Sequence, residues 1–188
     1  MASLKLQVIV GSIREGRMSR PIADWVMTVL APRGEFDAEL VDLKDIDLPM
    51  LALSQPPAAG YVTDYQRAWA AKVGEADAYL FVTPEYNQGI SPVLKNAIDH
   101  VAGEWARKPV AFVGHGGWGA TRAIQQLREV TCALSMAPLA AALHLQGAGK
   151  KREGDVFLGD DTDARRLNGV LDELVWWGRT LRAGREQA

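Results

Sequence analysis

Two hydrophobic rhythms alternate along this chain. Short apolar runs are each followed by a stretch whose apolar residues recur at three- and four-residue spacing, the marks of strands and of amphipathic helices. Leu4–Val10 reads as the first strand. Behind it Ile22, Trp25, Val26, Val29 and Leu30 share one helical face, with Ser19 as the expected N-cap and Pro21 in the first turn. Phe36–Val41 alternates as a half-buried strand, and Leu43–Gly60, rich in Pro and Asp, is expected to be a loop. Thr63–Val73 predicts a helix, and Ala78–Thr83 a continuously apolar strand of the kind a parallel sheet buries on both faces. Ser91-Pro92 opens a helix with Val93, Leu94, Ala97, Ile98 and Val101 on one stripe. Pro109–Val113 predicts a strand, Ala120–Leu134 a helix and Leu139–Leu145 another strand; a last helix runs from about Thr162 to Leu181.

Strands and helices thus alternate with no repeat and no break in composition, which predicts a single domain over residues 1–188. Parallel strands joined by right-handed helical crossovers build a three-layer α/β/α sandwich, here with a five-stranded parallel sheet. Ligands of such sheets bind beyond the carboxyl ends of the strands. That rule directs attention to the loops after strands one, three and four.

Composition narrows the picture. A net charge of −2 with no basic block gives no support for a nucleic-acid partner. The single Cys132 excludes an intrachain disulfide and a cysteine-built metal site; its place in a helical pattern suggests a small buried hydrophobe. The N-terminal apolar stretch is too short for a secretory signal, and no apolar segment reaches the roughly 18 residues that a membrane span needs. A cytoplasmic location and no membrane partner are expected.

The first loop, Gly11-Ser12-Ile13-Arg14-Glu15-Gly16-Arg17-Met18-Ser19-Arg20, combines hydroxyls, glycines and guanidinium groups at a strand-to-helix junction. Free backbone N–H groups, the positive end of the helix dipole and Arg donors make it a phosphate cradle. The second loop, Thr83-Pro84-Glu85-Tyr86-Asn87-Gln88-Gly89-Ile90-Ser91-Pro92, carries one aromatic and two amides between two stiffening prolines, which suits a flat ring with a polar edge. Glu85 is a candidate general acid, although nothing near it in sequence argues for a raised pKa. The third loop, Gly114-His115-Gly116-Gly117-Trp118-Gly119, contains a literal G-x-G-x-x-G. It is not a dinucleotide fingerprint. That motif follows the first strand and needs an acidic residue about 20 positions on, whereas Val130–Arg152 contains no Asp or Glu. The glycines instead let backbone approach a planar ligand.

Together Gly11-Ser12-Ile13-Arg14, Pro84-Glu85-Tyr86-Asn87, Leu94-Lys95-Asn96-Ala97-Ile98-Asp99 and the segment Gly114–Gly119 resemble the NADPH-dependent FMN reductases of the flavodoxin-like class, which include quinone, chromate and azo-dye reductases. The resemblance spans Leu4 to Leu145 and implies sheet order 2-1-3-4-5, FMN as cofactor and NADPH or NADH as donor. It implies that Ser12, Arg14, Arg17 and Ser19 hold the FMN phosphate and that Met18 also contacts the cofactor. Pro84, Glu85, Tyr86 and Asn87 would border the ring and ribityl chain, and Gly114, His115 and Gly116 the pyrimidine end. Arg17 departs from the small hydroxyl residue found in many members; it either adds a charged contact or points outward. His115 is the one titratable side chain placed to add charge at the ring. His100 and His144 read as structural, and Arg20 or Arg122 as contacts for the nicotinamide cofactor's phosphates.

The resemblance further implies small-molecule acceptors, a homodimer or homotetramer, and no catalytic side chain, since hydride chemistry belongs to FMN. Trp176 and Trp177 serve either a subunit interface or the core. The competing reading is a one-electron FMN carrier or a non-enzymatic redox-sensing module.

Overall fold

In the computed structural model, which describes residues 2–187, the apolar runs pair into one parallel sheet. Its strands are β1 (Leu4–Val10), β2 (Phe36–Asp42), β3 (Ala78–Pro84), β4 (Pro109–Gly116) and a divided edge, β5 (Ala137–Pro138) and β6 (Leu143–Gln146). The order is β2-β1-β3-β4-β5, with β6 also on β4, as the sequence implied. Central β3 is buried along its whole length, which is why its sequence does not alternate. A hairpin of β7 (Arg152–Glu153) and β8 (Val156–Phe157) stands apart from the sheet.

The connections hold α1 (Ser19–Leu30), α2 (Leu43–Ile46), α3 (Asp64–Gly74), α4 (Pro92–Asp99), α5 (Thr121–Ala133) and α6 (Asp161–Glu186). Strand side chains point alternately to the two faces of the sheet, so the sheet feeds two cores. Leu4, Leu6, Val8 and Val10 of β1 join Ile22 and Val26 of α1 and Leu167, Leu171 and Leu174 of α6. Ile9, Phe81 and Phe112 face the other way, onto Trp69 of α3, Leu94 and Ile98 of α4, and Ile124 and Leu127 of α5. Each such side chain, fully buried, stabilises the fold by about 1.5–3 kcal/mol. The two cores hold the carboxyl ends of β1, β3 and β4 side by side.

Several expectations need correction. The N-cap of α1 is Met18, with no side-chain cap; Ser19 is fully buried, its hydroxyl drawn across the sheet to His115. The segment after β2 is not wholly a loop. Asp42 accepts a hydrogen bond from the Lys44 N–H at 3.0 Å and so starts α2. The last strand is split, Ala111 and Phe112 of β4 standing opposite Leu139–Ala142. Arg128 donates to the carbonyls of Leu139 and Ala140 in this interval. Cys132 is exposed, because α5 turns Ala123, Ile124, Leu127 and Thr131 to the core.

Candidate functional site

The three loops meet at the carboxyl end of the sheet. Ser12 Oγ and Tyr86 Oη lie 2.7 Å apart, tying the loop after β1 to the loop after β3. The Arg14 guanidinium lies 5.3 Å from the centroid of the Tyr86 ring, a cation–π distance. Arg14 is exposed and, among the described residues, paired with no carboxylate. The first turn of α1 contains no acidic residue and lacks a side-chain cap. Its leading N–H groups and the positive end of its dipole are therefore left for another anion.

Arg17 has a different fate. Its guanidinium forks onto Asp42 at 2.7 and 2.6 Å and also donates to the Ser12 carbonyl. The charge expected at a phosphate is matched inside the protein instead, because the Asp42 carboxylate is buried and needs a partner. Arg20 completes the cluster, reaching Asp24 at 2.9 Å and Asp42 at 3.2 Å. Asp42 was not singled out from the sequence. Its signal was an acid at the carboxyl end of a strand, on the ligand side of the sheet.

In the second loop Tyr86 and Gly89 exchange backbone hydrogen bonds of 3.1 and 2.9 Å across Asn87 (φ 48°) and Gln88 (φ 67°). This is the tight turn with two left-handed residues. Asn tolerates that conformation, whereas Gln adopts it at a cost. Glu85 fastens this loop to α5. Its carboxylate accepts the N–H groups of Arg122 at 2.9 Å and Ala123 at 3.4 Å, and Arg122 Nη1 at 3.2 Å. It supplies the cap that Ala120, left-handed at φ 57°, does not give α5. The structure thus shows Glu85 acting as a remote helix cap.

The third loop is packed against its own strand. A Cβ at Gly114 would stand 2.5 Å from the Gly119 carbonyl, and one at Gly119 (φ 61°) 2.9 Å from His144 Cβ. His144 Nδ1 donates to the Gly119 carbonyl at 2.9 Å. These two glycines serve packing, while Gly116 and Gly117 have open space where a Cβ would stand. Of the other histidines, His100 donates through Nε2 to the Pro49 carbonyl at 2.8 Å. His115 is 7% exposed, with Nε2 2.8 Å from Ser19 Oγ. Burial pushes its pKa down to about 4, so it is a neutral anchor between β4 and α1 and not the source of charge the sequence allowed.

The loops enclose a cavity of about 270 Å³. Ser12, Arg14, Arg17 and Met18 form one wall, Pro84, Glu85 and Tyr86 a second, His115 and Gly116 a third. Ser19 and Gly114 are not on its surface, and Asn87 lines a neighbouring groove. Arg152 of the hairpin reaches the Gly16 carbonyl at 3.1 Å and steadies the first loop; nothing in the local sequence announced it.

Residues 4–149 match the family described as NADPH-dependent FMN reductase. The chain belongs to that family. It is 40% identical over 146 residues to an NAD(P)H-dependent FMN reductase of Schizosaccharomyces pombe, covering 75% of this chain and 73% of the relative. It is 33% identical over 188 residues to a 2-hydroxy-1,4-benzoquinone reductase of a Burkholderia species, covering 96% and 99%. Among solved structures, the flavoenzyme NAD(P)H:(acceptor) oxidoreductase FerB of Paracoccus denitrificans matches with a TM-score of 0.76 at 24% identity, over 94% of this chain and 98% of that one. The fold is flavodoxin-like. As a member of the NADPH-dependent FMN reductase family the protein is an oxidoreductase working with FMN and NAD(P)H. The family match ends before the β7–β8 hairpin and α6.

Proposed function

We propose that FMN binds in the cavity between the three loops and that the protein passes electrons from NADPH or NADH to small acceptors. The residues fit that cofactor. The uncapped start of α1 with Ser12, Arg14 and Met18 suits a phosphate. Pro84, Tyr86 and the backbone at Gly116, with Asn87 at the rim, suit a flat ring with a polar edge. FMN, when bound, supplies the two-electron chemistry that takes up hydride and reduces an acceptor.

The chain's own residues bind and orient. Arg14 meets the phosphate charge. Arg17, locked on Asp42, shapes the loop rather than neutralising the ligand. Where Gly116 and Gly117 present no side chain, backbone approaches the ring edge and stabilises negative charge there. Neutral His115 holds α1 through Ser19.

A quinone reductase and an FMN-dependent NADPH-azoreductase of Staphylococcus haemolyticus, 28% identical over 182 residues, are among the relatives. Quinones, azo compounds and free flavin are the acceptors we propose. Trp176 and Trp177, 59% and 36% exposed and packed edge to face at 5.0 Å, support assembly as a homodimer or homotetramer. The lone exposed Cys132 is compatible with the reducing cytoplasm. Among the described residues no helix is long and apolar enough to cross a membrane.

The observation that carries this reading is the Ser12–Tyr86–Arg14 contact, which joins an anion-binding loop to a ring-binding one. An anaerobic NADPH titration of the FMN-loaded protein tests it. Bleaching of the visible spectrum at one equivalent of NADPH per FMN, reversed by a quinone, is expected. A bound flavin that resists NADPH would mark a carrier or sensor instead.

A further inference from the structure

We infer that the groove beside the cavity receives the adenylate end of the nicotinamide donor, with Arg122 as its phosphate contact, an assignment that rests on the flavin reading above. The groove measures about 510 Å³ and is lined by Asn87, Gln88, Thr121, Arg122, Gln125 and Gln126, a size ordinary for small-molecule sites. It adjoins the cavity through two links. Asn87 follows Tyr86 of the cavity wall, and Arg122 is bonded to Glu85 of the same wall. A ligand lying across the Glu85–Arg122 pair touches both spaces.

The lining chemistry is that of a nucleotide's sugar and phosphates. Amides and one hydroxyl match ribose hydroxyls, a guanidinium matches a phosphate, and no acidic residue lines the groove among the described residues. The other guanidinium groups nearby are committed. Asp42 holds Arg17, Asp24 and Asp42 hold Arg20, and Arg14 faces the first cavity. Arg122 is paired with Glu85 through Nη1 at 3.2 Å, and its other guanidinium nitrogens make no hydrogen bond among the described residues. Glu85 also accepts the two backbone N–H groups at the start of α5, so it does not depend on Arg122 alone. Gln126 Nε2 donates to the Gln88 carbonyl at 3.1 Å and pins the strained turn as one wall. Beside the groove, the Trp118 ring lies 5.8 Å from the Arg122 guanidinium and is 64% exposed. It offers an adenine a flat face.

The experiment compares three donors on the FMN-loaded protein: NADPH, NADH, and reduced nicotinamide mononucleotide, which has no adenylate. Arg122→Gln is expected to raise KM for NADPH about 10-fold, the order of one lost charge-assisted hydrogen bond, and KM for the mononucleotide by less than about two-fold. Gln125→Glu, an exposed change that adds a negative charge to the groove, is expected to do the same. Calorimetry with adenosine 2′,5′-bisphosphate gives a readout independent of turnover: binding to the parent protein, lost in Arg122→Gln. An effect on NADPH alone places the 2′-phosphate at Arg122; equal effects on NADPH and NADH, with the mononucleotide spared, place the adenosine-side phosphate of the pyrophosphate there. Equal rises for NADPH and the mononucleotide, or no rise in either variant, would overturn the assignment while leaving the flavin reading intact. A parent protein that holds FMN but is reduced by none of the three donors would overturn the flavin reading itself.

Discussion

Two arginines three residues apart in one loop carry different duties, and burial separates them. Arg14 is exposed over an aromatic ring with no carboxylate partner among the described residues, whereas Arg17 is forked onto buried Asp42. Arg14→Ala is therefore expected to leave unfolding stability within about 0.5 kcal/mol, as surface changes do. It should weaken FMN about 10-fold or more while barely changing riboflavin, which has no phosphate. Arg17→Ala leaves a buried carboxylate short of its main partner and should cost about 2–4 kcal/mol of stability. Urea unfolding and parallel titrations with the two flavins check both statements, and identical behaviour of the two variants would refute the division. The residue types of the cradle were legible in the sequence; their pairing was not. Asp42 lies 25 positions from Arg17. Only the register of β1 on β2, with Val10 opposite Asp42, brings the acid to the mouth of the loop. For the same reason Ser19 read as a cap. Its partner, His115, is 96 positions away on β4.

At the scale of elements, the start of α5 depends on a residue from another loop. Ala120 gives no side-chain cap, and Glu85 supplies it across the gap between β3 and β4. Glu85→Ala should cost about 1–2 kcal/mol, typical of losing a helix cap. It should also speed hydrogen exchange at the Arg122 and Ala123 amides. Glu85→Gln, whose amide oxygen still accepts, should recover most of both losses; a stability equal to that of the alanine variant would contradict the capping role. The long elements could be read from periodicity because their burial is one-sided or complete, as in α1 and β3. What escaped involves a few side-chain hydrogen bonds. Asp42 caps the one turn of α2, and Arg128 holds two carbonyls at the split edge. Neither leaves a periodic trace. The glycine-rich loop follows β4 and not β1, so it lacks the place of the dinucleotide fingerprint. Two of its glycines, expected to face a ligand, are instead required by contacts with Gly119 and His144.

For the whole molecule, two buried bases at opposite ends of the sheet each add a pH dependence to stability. His115 sits at the ligand end, its pKa pushed down to about 4 by burial. Lys108 sits at the other end, donating to the carbonyls of Val73 at 3.3 Å and Gly74 at 3.0 Å and to Tyr79 Oη at 3.2 Å. Burial, assisted by Arg185, lowers it to about 8. For a base whose pKa falls on folding, the unfolded chain holds a proton that the folded chain lacks throughout the interval between the two values. Stability therefore rises with pH from about 4 to 6.5 through His115, and again from about 8 to 10.5 through Lys108. Above pH 10 the sign reverses. Burial raises Tyr79, and burial with the Glu104 hydrogen bond raises Tyr61 to about 12, so the unfolded phenols ionise first. Between pH 7 and pH 5 the His115 contribution falls by about 2 kcal/mol. Other groups titrate in that range too, so the measurement is the difference between the parent protein and His115→Asn in urea unfolding at the two pH values. That difference should shift by about 2 kcal/mol in favour of the variant as the pH falls. Parallel curves would mean that His115 already carries a proton or is solvated in the fold. The same neutrality bears on turnover: with no charge forming on His115 between pH 5 and 8, loss of activity in acid should track unfolding rather than a His115 charge appearing at the cavity wall.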